Sequence, residues 1–187
     1  MKPNDFVLGL ENILKSIPIP QNIDNELDLE RILFPYIKSY LKKSLRVKEE
    51  ELKTIVYAHG ENEEGKGLWT KSKEYQNVIA FGCTMAADIF IRHESIGTIF
   101  IEIKLAKPRK SGGDSFPGSL QRAIGQTVIA SMKHNYAICY IATPKRSYTH
   151  ENDIAEKLIK TIWEKLGILL IIKEYGRDDG KELIEIV

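Results

Sequence analysis

Two β-rich runs, NVIAFGCTMAADIFIR (77–92) and GTIFIEIKLA (97–106), are joined only by the turn-forming HESIG, and no other feature constrains the fold of this chain as tightly. Runs rich in branched and aromatic residues flanking so short a connection predict a hairpin. Alternation along the second run puts Ile99, Ile101 and Ile103 on one face and Phe100, Glu102 and Lys104 on the other. An acid and an ammonium among isoleucines are costly to desolvate unless something pairs with them. Counting back from the turn supplies company: Asp88 lies on one arm about as far from the tip as Glu102 lies on the other. Two carboxylates and an ammonium then converge on one patch of sheet. Two carboxylates, with water and a backbone carbonyl, suit a hard cation such as Mg²⁺ or Mn²⁺.

Around this hairpin the chain alternates helix and strand. An amphipathic segment at 5–16 ends at SIPIPQN, where Pro18 and Pro20 stop regular structure. Asp24 or Asn25 caps ELDLERILFPYIKSYLKK, whose apolar residues recur at helical spacing, with Pro35 expected to kink the helix or mark a restart. A strand is expected at LKTIVYAHG (52–60) and a polar loop at ENEEGKGLWTKSKE (61–74). After the hairpin come a Gly- and Pro-rich basic loop, a helix at SLQRAIGQTVIASMKH capped by Ser119, and a buried strand at YAICYIA. A helix at ENDIAEKLIKTIWEKLG ends at Gly167, and strands at ILLIIKEY and ELIEIV close the chain. With 187 residues this predicts a single α/β domain, 1–187, built on a central mixed β-sheet flanked by helices. Its core spans about 24–142, and a C-terminal helix and strands occupy 151–187.

Asp88, thirteen residues, then Glu102-Ile103-Lys104 resembles the PD-(D/E)XK nuclease superfamily. The likeness extends to the order of elements. That superfamily has an α-β-β-β-α-β core, the restriction-endonuclease-like order, and the same order is read here over roughly two thirds of the chain. Several of its branches carry a glutamine on the helix after the motif strand, where this chain has Gln126, and many place a glutamate on the first helix, where Glu30 or Glu26 stands. The proline of the motif name is Ala87, at a position that does not ligate metal, and the tyrosine that follows the glutamine in the exonuclease-like branch is Ala130. What the resemblance implies is a Mg²⁺- or Mn²⁺-dependent nuclease hydrolysing DNA phosphodiesters; an endonuclease is expected, and the exonuclease-like branch, with its polarity of cutting, is not assigned. Asp88, Glu102 and the Ile103 carbonyl would hold the metal. Lys104 would orient the nucleophile or stabilise the transition state, Gln126 would position Lys104 or the attacking water, and Glu30 would complete the shell. Many members act as homodimers, although no residue here specifies one.

The formal charge of +1, from 27 basic and 26 acidic residues, gives no global sign of polyanion binding, so any such surface is local. The candidates are Lys42 and Lys43 in the run from 38 to 48, Lys107, Arg109 and Lys110 just beyond Lys104, and Arg122. For the run from 38 to 48 and for Arg122 the plainer reading is a solvated helix face. His59, His93, His134 and His150 show no ligand spacing and are read as turn or surface residues. Cys83 and Cys139 are read as small buried hydrophobes of a reducing compartment. With no bilayer-length apolar run and no secretory signal pattern, a cytoplasmic location is expected. Two further classes stay open: a catalytically silent nucleic-acid-binding domain of the same fold, and a non-enzymatic α/β interaction module.

Overall fold

The computed structural model describes residues 2–58, 78–80, 83–107, 115–144 and 152–175. Helix α1 (Pro3–Ser16) opens with a proline in its first turn, where no N–H is needed, and buries Phe6, Val7, Leu10 and Leu14 along one stripe. Helix α2 (Glu26–Leu45) is capped by Asn25, whose side chain accepts a 2.9 Å hydrogen bond from the Asp28 N–H. It runs unbroken through Pro35, so the sequence-based expectation of a restart is corrected. Pro35 and Arg31 are both exposed, so the carbonyl that the proline leaves without a donor faces water, while Leu33, Phe34, Ile37 and Leu41 keep the buried face continuous.

A second correction concerns residues 52–60. Leu52–Ile55 belong to helix α3 (Glu49–Ile55), and only β1 (Val56–Ala58) is extended. Glu51 accounts for this: its carboxylate accepts the Lys48 N–H at 2.6 Å, three acids occupy the first turn, and Leu52 and Ile55 turn inward three residues apart. The run from 77 to 92 is likewise three strands rather than one. Strands β2 (Val78–Ala80) and β3 (Cys83–Met85) form their own two-stranded antiparallel sheet, and β4 (Ile89–His93) joins the main one.

The expected turn lies where HESIG predicts it. His93 faces Gly97, whose φ of +77° favours glycine, and the Ile96 N–H returns to the His93 carbonyl. Strand β5 (Gly97–Leu105) follows, then helix α4 (Phe116–Ser131), β6 (Tyr136–Pro144), helix α5 (Asn152–Leu166) and β7 (Ile168–Tyr175). Helix α4 begins at the Ser115 cap, not at Ser119, which is buried one turn inside; Pro117 and Gly118 look like loop residues but are tolerated in a first turn. Gly167, at φ +64°, ends α5 as expected, with its N–H bonded to the Trp163 carbonyl. ELIEIV, the loop at 61–74, Arg109, Lys110, His59 and His150 lie outside the described residues.

The five-stranded sheet has the order β1-β4-β5-β6-β7, antiparallel at its first two junctions and parallel at the last two. Helices cover both faces. Ile89, Ile91, Ile99, Ile101 and Ile103 pack with α1 and α2, whereas Phe90, Phe100, Ala137, Cys139 and Ile141 pack with Ala123 and Ala130 of α4 and Ile162 of α5. Cys139 is a buried thiol pushed up to about 12 by its burial and by the neighbouring Glu102, which suits the expected packing role. Among the described residues no helix is long and apolar enough to cross a membrane.

His134 lies in the turn between α4 and β6, as one of its two expected readings has it, but it is buried there rather than superficial, stacked on Phe100 at 5.7 Å and edge-on to Phe90 at 5.3 Å. Burial, aided by Lys133, lowers its pKa from 6.5 to about 4. The folded state therefore holds a neutral ring while the unfolded chain takes up a proton below 6.5. Stability is full above that value and is lost as pH falls toward 4. In His134→Phe the fall in Tm between pH 6.5 and 4 is expected to be shallower than in the parent protein, as read by calorimetry; parallel curves would exclude His134 as its source.

Candidate functional site

The register of the β4–β5 pair carries the first test of the convergence read from the sequence. Ile89 faces Ile101, so continuing by one residue sets Asp88 across from Glu102. The Asp88 N–H donates to the Ile101 carbonyl at 3.1 Å, which extends the ladder past the end of β4. Its carboxylate reaches over the strand and accepts the Ile103 N–H at 2.6 Å. Asp88 is thus held at both its main chain and its side chain.

Glu102 lies on the α4-facing side of the sheet and is 1% exposed. Its Oε1 accepts from the Lys104 ammonium, and its Oε2 is a buried oxygen with no hydrogen-bond partner among the described residues. Burial first and the charge of Asp88 second push Glu102 up to about 8, against the pull of Lys104. The Lys104 ammonium also donates to the Ile103 carbonyl at 3.0 Å and stands 3.5 Å from the Glu26 carboxylate. Burial draws Lys104 down, but Glu102, Asp88 and Glu26 outweigh it and hold the ammonium above its ordinary range. One cation therefore sits among three acids.

Of the two glutamates weighed for the first helix, Glu26 makes this contact, and its Oε1 lies 3.5 Å from the Leu105 N–H. Glu30, one turn further along α2, is 3% exposed on the helix's buried face. Both positions share a face at helical spacing, so the choice between them depends on where α2 begins relative to the end of β5. Gln126 is half-buried on α4, beside the inward stripe of Ser119, Ala123, Thr127 and Ala130. The hydrogen bond from Ile103 N–H to Asp88 is not among the sequence expectations; its one signal in the sequence is that Asp88 stands immediately before the strand, from where its side chain reaches the neighbouring one.

The basic candidates are spread around the molecule. Lys107 is exposed beside an open depression lined by Asn25, Glu26, Leu27 and Leu105, and its main chain pairs with Ser115 through bonds of 2.8 and 2.9 Å. Lys42 pairs with Glu49 at 2.9 Å on the surface, Lys43 is exposed nearby, and the exposed Arg122 donates to the Gly118 carbonyl at 3.3 Å.

The oxygens that could serve a cation are those of Asp88, Glu102 and the Ile103 carbonyl, already bonded to Ile103 N–H and Lys104, an all-oxygen set of the kind that suits a hard divalent ion. The Glu102 Oε2, buried and without a hydrogen-bond partner among the described residues, fits that use, since a buried polar oxygen without a donor is costly. Among the described residues no group of three or more His, Cys, Asp or Glu side chains is arranged to hold a metal, so two acids, the main chain and water would have to suffice. Comparison with protein-family models, with curated proteins and with solved structures finds no match to this chain.

Proposed function

We propose that the protein is a metal-dependent nuclease of the PD-(D/E)XK type, an endonuclease that hydrolyses DNA phosphodiesters. The observation that supports this most is Asp88 standing across the hairpin from Glu102, with Lys104 against both Glu102 and the Ile103 carbonyl. The succession α2, β1, β4, β5, α4, β6, with β2–β3 as an inserted hairpin, accords with the restriction-endonuclease-like core.

A Mg²⁺ or Mn²⁺ ion held by Asp88, Glu102 and the Ile103 carbonyl would supply positive charge against the phosphate as the transition state forms. Lys104 brings an ammonium to the same place and can donate to the attacking water or a phosphate oxygen. Gln126, an uncharged donor and acceptor, can orient that water without changing the charge balance. Lys107, exposed next to the site, suits a backbone phosphate, with Arg109 and Lys110 following it in sequence and Lys42, Lys43 and Arg122 as outlying contacts. Glu30 remains a candidate to complete the shell through water. Two copies of the chain would be needed to cut both strands together.

Supercoiled plasmid incubated with the purified chain should be nicked when Mg²⁺ or Mn²⁺ is present and left intact in excess chelator. DNA that stays uncut with either ion, while still bound, would favour the catalytically silent reading. That reading draws on one observation: an ammonium already bonds two of the oxygens an ion would use.

A further inference from the structure

Lys104 and the proposed ion compete for the same oxygens, and Glu26 stands where the displaced ammonium would go. The Lys104 ammonium bonds Glu102 Oε1 and the Ile103 carbonyl, both assigned above to the ion, while the Glu26 carboxylate waits 3.5 Å away on the side toward the open depression. Glu102 is 1% exposed and cannot escape to water when the lysine leaves. Glu26, nearly half-exposed in the first turn of α2, is not so confined. Two cations sharing buried oxygens repel strongly, so an ion can settle only if the ammonium moves to another anion within reach of its flexible stem.

We infer that Glu26 is a positioning residue: it draws the Lys104 ammonium off Glu102 and the Ile103 carbonyl as a divalent ion binds, and parks it where it can meet the substrate. The inference rests on the proposed metal site and assigns Glu26 to the lysine rather than to the ion. Lys104 thereby acts as the internal counter-ion of the acids until the metal replaces it.

The test is calorimetric titration of Mn²⁺ into the full chain and three variants: Glu26→Asp, Lys104→Met and the double variant. Aspartate keeps the charge and the helix-favouring acid but withdraws the carboxylate by one methylene, so neither long-range electrostatics nor folding should change. Lys104→Met removes the competitor and should tighten Mn²⁺ about tenfold, the size of coupling expected for charges in contact. Glu26→Asp should weaken Mn²⁺ several-fold in the parent background and change nothing in the Lys104→Met background. An equal loss in both backgrounds would make Glu26 a direct ligand, and no loss in either would make it a bystander; each overturns the inference while leaving the metal site standing. Absence of Mn²⁺ binding by both the parent chain and Lys104→Met would overturn the metal site as well.

Discussion

Lys104→Ala is expected to bind DNA as the parent chain does and to cut it at least about 10²-fold more slowly, the usual cost of losing one group that acts on the charge of the transition state. The side chain is 11% exposed and turned into the acid cluster, so it offers little to a DNA backbone that has not yet reached the site. The surface cations that would meet phosphates, Lys107 among them, are untouched by the change. Plasmid nicking with Mn²⁺ and fluorescence anisotropy with a labelled duplex separate the two effects. Cutting that persists in this variant would remove Lys104 from the chemistry, and lost DNA binding would make it a substrate contact instead. If the proposed ion uses the oxygens that Lys104 now bonds, the slow variant should be one that holds Mn²⁺ at least as tightly as the parent. Weak metal loading therefore cannot imitate the result.

The second large effect belongs to the acids. Asp88→Ala and Glu102→Ala should each abolish calorimetrically detectable Mn²⁺ binding, a loss of at least about 100-fold, beyond that for groups that only support a ligand. The two differ in what else they disturb. Asp88→Ala leaves the Ile103 N–H without its acceptor, which costs about 1–3 kcal/mol if that donor stays buried. Asp88→Asn preserves an acceptor oxygen and removes only the charge. It should keep the parent Tm and still lose Mn²⁺, whereas Mn²⁺ binding unchanged in Asp88→Asn would show that the carboxylate serves the strand ladder alone. Glu102→Ala removes the acid closest to Lys104 and leaves Asp88 and Glu26 beside it.

Much of this arrangement is legible in the chain because it depends on short-range rules. The HESIG turn and the period of two along β5 are enough to bring Asp88 and Glu102 opposite each other, and the observed register does so. Asn25 and Gly167 mark helix ends that local backbone chemistry alone decides. Other features depend on groups far apart in sequence. Glu26 and Glu30 cannot be told apart by periodicity, since only the docking of α2 against the end of β5, 79 residues later, brings one of them to Lys104. The helix at 49–55 was hidden because Leu52, Ile55 and Val56 suit a strand equally well, and the three acids ahead of them outweigh that preference. The turn at His134 is legible in the sequence but its burial is not, because only the folded sheet brings Phe90 and Phe100, from two strands, against the ring.

Beyond Lys104 the backbone of β5 ends at Leu105, and the next residue is gripped from two directions. The Ala106 N–H donates to the Ala142 carbonyl on β6 at 2.8 Å, and the Ala106 carbonyl accepts from the Tyr175 hydroxyl at the far end of β7, also at 2.8 Å. A knot of three strand ends thus lies two residues from the lysine, with its last thread supplied by the C-terminal portion of the chain. Trimming the protein to the segment that carries every proposed chemical group would cut that thread and let the end of β5 fray beneath Lys104. What looks like an appendage to the segment carrying Asp88, Glu102 and Lys104 is therefore its clamp.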